Sequence, residues 1–496
     1  MIEAHAVADV RAAERAVMAT VPEGTLMQRA AAALDAECAA VLRAATGRVT
    51  GRRVVVLAGS GDNGGDALLT AARLAGRGAG VLALTTAPAV HAEGLRAALA
   101  AGVRVRPWDG DGPAACRAAD LLLDGVAGIG GRGGLRAPLD GLPAALAGAG
   151  ADGPVVVAVD VPSGLDADRG AVEGGVLAAD VTVTFGTAKP AHLLAPAAAR
   201  CGRLVVADIG VRGQLPAPAV RRVEPADVAR GWRRPGPGDD KYSRGVVGVV
   251  AGGPDYTGAA LLAVDAAVRA GAGMVRYLGP EHPTELVRHH RPEAVAGPGR
   301  VQAWVLGPGV SPEDGEQGAR VREALASGEP AVVDAGALAG LPGLLDGLGP
   351  QHVLTPHAGE LSRLLDALGE DVPRVAVEAD PLPHARRAAA ATGATVLLKG
   401  SVTTVAGPDG RVLTAAAAPA WLSTAGAGDV LAGVLGAALA SRAAELAADP
   451  ALAADVAAEA AVLHGWAAEL ASAGGPLTAL DVAEAVPAAL TSLPGW

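Results

Sequence analysis

Asp62, Asn63, Gly64, Gly65 and Asp66 stand in one turn of the stretch GSGDNGGDALLTAARL, between the apolar run Val54 to Ala58 and an Ala/Leu-rich stretch of helical period. Two carboxylates, an amide and two glycines at a helix N-terminus can do two kinds of chemistry. Exposed backbone N–H groups suit a phosphate; clustered oxygens suit a hard cation. Gly59, Gly61 and Gly64 also spell G-x-G-x-x-G, the frame of a dinucleotide loop, but the next strand ends LALTTAPAV without the acid that would bind a ribose. By itself the frame also reads as a tight strand-to-helix turn. Two further apolar runs end in oxygen-bearing side chains: Asp124 in LLLDGVAGIGGRGGL, with the glycine-rich loop Gly128 to Gly134 behind it, and Asp160 with Ser163 in VVVAVDVPSGLDAD. One Asp at a strand end is ordinarily a cap or turn former. Three such ends on one edge of a parallel sheet point to a site.

The second half carries a different set. In WLSTAGAGDVLAGVLGAALA, Gly426 and Gly428 precede Asp429, which opens a helical stretch. Glycines there leave backbone N–H groups free at a positive helix end, where charge on a transferring phosphoryl group would be stabilised. Asp429 could take a proton from an attacking hydroxyl, although a Gly turn with an N-terminal Asp is common without any chemistry. Its companions are Lys399, Gly400 and Thr403 in LLKGSVTTV, His357 and Glu360 in LTPHAGELSRLL, and the glycine-rich loops of VLGPGV and GGPDYTGAALLA. No G-x-x-x-x-G-K-[ST] occurs, so a P-loop is excluded.

The elements that must position these residues alternate along the chain. Val54–Ala58, Val81–Thr85, Leu121–Asp124 and Val155–Asp160 read as strands separated by helical stretches, which predicts a parallel sheet covered on both faces. The rhythm breaks over Arg212–Gly245, rich in Pro, Gly and charge, and restarts with Val246–Val250, Val275–Leu278, Ala303–Leu306, Ala331–Asp334, His352–Thr355 and Thr395–Lys399. Pro-Asp-Gly inside Val402–Thr414 predicts a hairpin. Two domains are expected, 1–215 and 241–496, joined by a linker over 216–240.

Composition bounds the partners. With 51% hydrophobic but 2% aromatic residues, the cores must be built from Ala, Val and Leu. A net charge of -11 argues against nucleic acid and anionic membrane surfaces and leaves small molecules. Cys38, Cys116 and Cys201 form no C-x-x-C pair and read as buried thiols of a reducing cytosol. No signal peptide or membrane span is expected, Val430–Ala440 being a buried helix rather than a span.

The motifs of the first half, with GTLMQRAAAAL before them and ADVTVTFGTAKPAHL after, resemble in order those of the NAD(P)H-hydrate epimerase family. The resemblance covers roughly the first 215 residues. It implies a Rossmann-like three-layer αβα fold and substrate contacts at Asp62, Asn63, Gly64, Gly65 and Asp66. It extends them to Gly128, Ile129, Gly130, Gly131, Arg132, Gly133, Gly134 and Asp160. It implies a potassium ion at Asn63, Asp124 and Ser163, and Asp160 as the acid/base residue. Asp62 and Ala67 depart from the commoner Asn and Gly.

From about Lys241 onward the chain resembles the ribokinase-like ADP-dependent NAD(P)H-hydrate dehydratases, with KGSVT and GAGD as the most telling pieces. That implies an αβα fold, a nucleotide lined by Lys399, Gly400, Ser401, Val402, Thr403 and Gly428, and the hydrated dinucleotide facing Ala259, Gly309, His357 and Asp429. TAAAAPAWL replaces an Asn-rich stretch of that family. The implied activity is repair of hydrated NADH and NADPH in the cytoplasm by a homo-oligomer using K⁺, Mg²⁺ and ADP. The alternative is a ribokinase-like kinase of a small molecule such as a vitamin precursor, with a non-catalytic N-terminal binding module.

Overall fold

The computed structural model describes residues 1–148, 153–416 and 418–496. After a short strand β1 (Ile2–Ala4), the chain forms two compact units that divide between Ala219 and Val220.

The first unit is built on seven strands: β2 (Arg53–Ala58), β3 (Gly80–Thr85), β4 (Arg104–Pro107), β5 (Leu121–Gly125), β6 (Val155–Val159), β7 (Val181–Phe185) and β8 (Arg203–Ala207). They lie in the order β4-β3-β2-β5-β6-β7-β8, every pair parallel. Alternation along β2 makes the layers. Val54, Val56 and Ala58 pack with Leu34, Leu42 and Leu68 on one face, and Val55 and Leu57 with Cys116 and Leu142 on the other. This is the Rossmann-like αβα fold expected. The strand order reverses between β2 and β5, the place where open sheets of this kind form a ligand crevice. Asn63 follows the first of those strands and Asp124 ends the second.

The second unit contains β9 (Val220–Arg222), β10 (Val246–Val250), β11 (Met274–Tyr277), β12 (Val295–Ala296), β13 (Ala303–Leu306), β14 (Ala331–Val333), β15 (His352–Leu354), β16 (Thr395–Leu398), β17 (Thr403–Ala406) and β18 (Val412–Ala415). Their order is β9-β18-β17-β16-β15-β14-β13-β10-β11-β12. Only β17 runs antiparallel to its neighbours, as the expected hairpin requires. Val247 and Val249 face the helices Ala427–Ser441 and Ala453–Ser472, while Val250, Leu306 and Val333 face Leu361 and Leu364. The helix holding Val430–Ala440 is buried inside this unit, and among the described residues no helix is long and apolar enough to cross a membrane.

The expected linker is a correction. Within 216–240 the chain forms β9, parallel to β18, and the helix Pro225–Gly231. Val220 and the cluster members Val223, Val228 and Trp232 are buried, so sparse apolar residues among Pro and Arg suffice to fix it in the second unit.

Candidate functional site

The Asp160 carboxylate is the centre of the first unit's chemistry. The residue sits one position past β6 with φ of 65°, a left-handed conformation that an L side chain adopts only under constraint. Its Oδ1 accepts hydrogen bonds from Lys189 Nζ at 2.5 Å, Thr184 Oγ1 at 2.9 Å and Phe185 N at 3.3 Å. Lys189 is 1% exposed and also donates to Thr184 Oγ1 and to the carbonyls of Phe185 and Thr187. Burial alone would push the Asp160 carboxyl up, but the ammonium beside it holds it below the ordinary carboxylate range.

Near this pair lies a cleft of about 400 Å³ lined by Glu14, Asp62, Asp66, His91, Phe185 and Ile209, among others. Asp66 is buried, its Oδ1 has no partner, and burial together with the charges of Asp160, Asp62 and Glu14 pushes its carboxyl well up. Glu14 is raised as well, first by burial. Asp160 is not itself a lining residue, but it acts on Asp66 and Glu14 through its charge, so a charged carboxylate stands close to carboxyls biased towards the protonated form, the separation of roles that proton transfer needs.

Asn63 and Asp124 lie at the switch point. Asn63 Nδ2 donates to Val159 O at 2.6 Å, which fixes the amide, and a Cβ on Gly128 would overlap that amide. Asp124 is fully buried. It accepts from Ser163 Oγ at 2.6 Å and Ser163 N at 2.8 Å, and burial pushes it up to about 6. A buried carboxylate with only neutral donors, grouped with hydroxyl and amide oxygens, fits an alkali cation. Among the described residues no group of three His, Cys, Asp or Glu side chains could hold a transition metal.

In the second unit the ends of β14, β15 and β16 converge on a helix N-terminus. Lys399 Nζ lies 2.7 Å from Asp334 Oδ1 and 3.9 Å from Glu360 Oε2. Asp334 Oδ1 also accepts from Thr355 Oγ1 at 2.9 Å. Lys399 and Asp334 face the helix N-terminus: a Cβ on Gly428 would stand 3.4 Å from Lys399 Nζ and 3.9 Å from Asp334 Oδ2. Asp429, in the first turn, is pushed up to about 7 by burial and by the Asp334 charge, with Lys399 opposing. Gly426 stands at φ of 87°, the left-handed region that favours glycine, and a Cβ there would crowd Leu262 and Ala479. The first-turn N–H groups of a helix have no intrahelical partner and can take a ligand.

Family models match both units. A model described as YjeF-related protein N-terminus matches residues 23–191, and one described as NAD(P)H-hydrate dehydratase matches residues 247–487. The bifunctional NAD(P)H-hydrate repair enzyme of Mycobacterium tuberculosis is 44% identical over 436 residues, covering 86% of this chain and 87% of that protein. The chain belongs to the bifunctional NAD(P)H-hydrate repair enzyme family. The repair enzyme of Corynebacterium glutamicum is 34% identical over 486 residues, covering 83% of this chain and 82% of its own. An ADP/ATP-dependent NAD(P)H-hydrate dehydratase from Bacillus subtilis, co-crystallized with ATP/Mg²⁺, is similar over 55% of this chain and 99% of its own, with 26% identity and a TM-score of 0.48.

The residues anticipated for a repair enzyme are placed as follows. Asp62 and Asp66 line the first cleft. Gly64 and Gly65 pack against Gly59 and His91. The loop from Gly128 through Ile129, Gly130, Gly131, Arg132 and Gly133 to Gly134 contributes no lining residue to that cleft; Gly128 meets Asn63, while exposed Arg132 lies 3.9 Å from Asp166. Ala259 and Gly309 touch closely at the switch point between β10 and β13. His357 caps the helix Ala358–Ala367 through Nδ1. Gly400, Ser401 and Thr403 line a pocket with Leu422, Leu431 and His464. In TAAAAPAWL, Ala417 lies outside the described residues.

Lys189, Glu14, Asp66 as an acid, and Asp334 were not assigned these roles from sequence. One signal was available: the chain has three lysines, Lys189, Lys241 and Lys399, and a single asparagine, Asn63. Lys241 is exposed, but Lys189 and Lys399 each pair with an Asp, at places where a chain otherwise rich in arginine uses a compact ammonium.

Proposed function

We propose that the chain repairs hydrated NADH and NADPH in two steps, interconverting the R and S epimers in the first unit and dehydrating the S epimer in the second at the expense of ADP. The observation that carries this is the pair of separately built acid/base sites, Asp160 with Lys189 and Asp429 with Lys399 and Asp334, on one chain of the repair family.

In the first unit the iminium route needs an acid and a base: a protonated carboxyl, Asp66 or Glu14, donates to the ring hydroxyl, which leaves as water as the ring-nitrogen lone pair forms the iminium, and Asp160 takes a proton from the water that adds to the other face. In the ring-opened route Asp160 takes the hydroxyl proton as the carbonyl forms and the C–N bond breaks onto nitrogen, and returns it when the nitrogen closes on the other face. Lys189 keeps that carboxylate charged and fixed. Asp62 to Asp66 and Gly128 to Gly134 orient the dinucleotide, and Asn63, Asp124 and Ser163 would hold K⁺, which supplies fixed positive charge to the bound substrate.

In the second unit, Asp429 takes the proton of the hydrate hydroxyl, whose oxygen attacks the terminal phosphorus of ADP. The bond to AMP breaks, the charge falling on the N–H groups of Gly426–Gly428 and on Lys399. Phosphate then leaves with the former hydroxyl oxygen, pushed by the ring nitrogen lone pair, and loss of the adjacent proton restores the reduced nicotinamide. Mg²⁺, when bound, shields the phosphate charge. Ala259, Gly309 and His357 line the hydrate side and Lys399 to Thr403 the nucleotide side.

The test is product analysis: from S hydrate and ADP the protein should yield reduced nicotinamide, AMP and phosphate in equal amounts. Phosphorylation of a vitamin precursor with no action on hydrate would support the kinase reading instead.

A further inference from the structure

Glu14 stands in the helix Val7–Met18, which Ala13 and Val17 seat in the core around Leu34. It is half-buried and lines the first unit's cleft one turn before Met18, which lines it too. Among the described residues it makes no hydrogen bond or ion pair. Phe185 lines the same cleft, and its backbone holds the acid/base pair: its N donates to Asp160 Oδ1 at 3.3 Å and its O accepts from Lys189 Nζ at 3.2 Å. Glu14 thus faces the space from the helix, while Asp160 stands behind the Phe185 wall.

Charge selects the part of the substrate this space takes. Glu14, Glu23, Asp62, Asp66 and Glu93 line it with His91, and among the described residues no lysine or arginine does. Such walls repel a pyrophosphate and stabilise positive charge, so they suit the hydrated nicotinamide ring as it becomes an iminium cation. A neutral ring-opened intermediate gains nothing from them. Of the two carboxyls able to give the leaving proton, Asp66 is 6% exposed and its Oδ1 is sealed. An acid spent once per turnover must be refilled from water, which favours Glu14, on its longer stem and within reach of solvent.

We propose that Glu14 is a catalytic residue of the first unit, the acid whose proton turns the ring hydroxyl into leaving water. This rests on the epimerase reading above. The C–O bond breaks with its electron pair going to oxygen, and the ring-nitrogen lone pair forms the C=N bond. Water then adds to the other face and Asp160 takes its proton. Asp160 gives that proton up to solvent, because Lys189 holds it ionised against its burial, and Glu14, raised by its own burial, takes one back. One solvent oxygen enters per inversion. The reverse inversion uses the same groups in the opposite protonation states.

The experiment is interconversion of R hydrate by the full chain with KCl and without ADP, so that dehydration is silent. The epimers are separated by chromatography and the rate is corrected for spontaneous exchange. In H₂¹⁸O the intact protein should place one ¹⁸O in the product per inversion, whereas ring opening keeps the original oxygen. Glu14→Gln should lower kcat at least about 10²-fold with KM within about threefold, and Glu14→Asp should recover about a tenth of the activity or more. Asp66→Asn should lower kcat less than about tenfold. Since the acid must be protonated, kcat/KM of the intact protein should fall as pH rises through the Glu14 value. Burial, Asp160 and Asp62 raise that value, and Lys189 and Arg11 lower it. This alkaline limb should be missing from the residual activity of Glu14→Gln, a change that a structural role would not produce. Unchanged epimerisation in Glu14→Gln, a larger loss in Asp66→Asn, or product without ¹⁸O would overturn the assignment and leave the epimerase reading intact. Failure of the intact protein to interconvert the epimers would overturn the epimerase reading, and this assignment with it.

Discussion

Lys189 Nζ and Asp160 Oδ1 are 2.5 Å apart, with side chains 1% and 7% exposed. Asp160→Asn should lower epimerisation by at least about 10²-fold, the usual worth of a positioned proton-transfer group, with dehydration of pure S hydrate unchanged. Separate rate assays of the two steps on one preparation decide it.

The same pair makes a stability prediction. Lys189→Met leaves a buried carboxylate without its cation, a change that costs about 3–5 kcal/mol. Because the Asp160 pKa is depressed by folding, the stabilisation is present above the ordinary carboxylate value and is lost as pH falls through the folded value. Hydrogen exchange in peptides from β6 and β7 should therefore show a large loss of protection for Lys189→Met at pH 7, shrinking towards pH 3.

Asp429 makes a prediction of opposite sign. Its carboxyl is raised to about 7 and must be ionised to act as a base, so kcat/KM for dehydration should fall tenfold per unit below pH 7. Lys399 lowers that pKa, so Lys399→Met should move the acid limb upward as well as reduce kcat. A raised carboxyl pKa gives stability that is fully present below the unfolded value and lost as pH rises through the folded one. Asp429→Asn should thus raise the Tm at pH 8 more than at pH 4.

Gly128→Ala would drive a methyl group into the Asn63 amide. We expect the K⁺ concentration needed for half-maximal epimerisation to rise several-fold, with dehydration unaffected. A titration with KCl against a choline background reads it.

The fold was legible because strand runs such as Val54–Ala58 and Val246–Val250 are aliphatic and buried on both faces, the pattern a parallel sheet imposes. The edge strand β4 (Arg104–Pro107), whose residues are half-buried or exposed, carries too little apolar signal to be found. The same holds for β9, hidden among Pro and Arg. Acids at the ends of apolar strand runs marked Asp124 and Asp160, and glycines at the start of a helix marked Asp429. Lys189 was missed because it is 29 residues from Asp160 and meets it only when β6 and β7 pair.

The most direct test of repair by this chain is recovery of reduced-nicotinamide absorbance from a mixture of both NADH-hydrate epimers, with K⁺, Mg²⁺ and ADP. Complete recovery, faster than spontaneous epimer exchange and strictly dependent on ADP, is the predicted result. Recovery that stops at the S fraction would contradict the epimerase assignment, and no recovery would contradict the account as a whole.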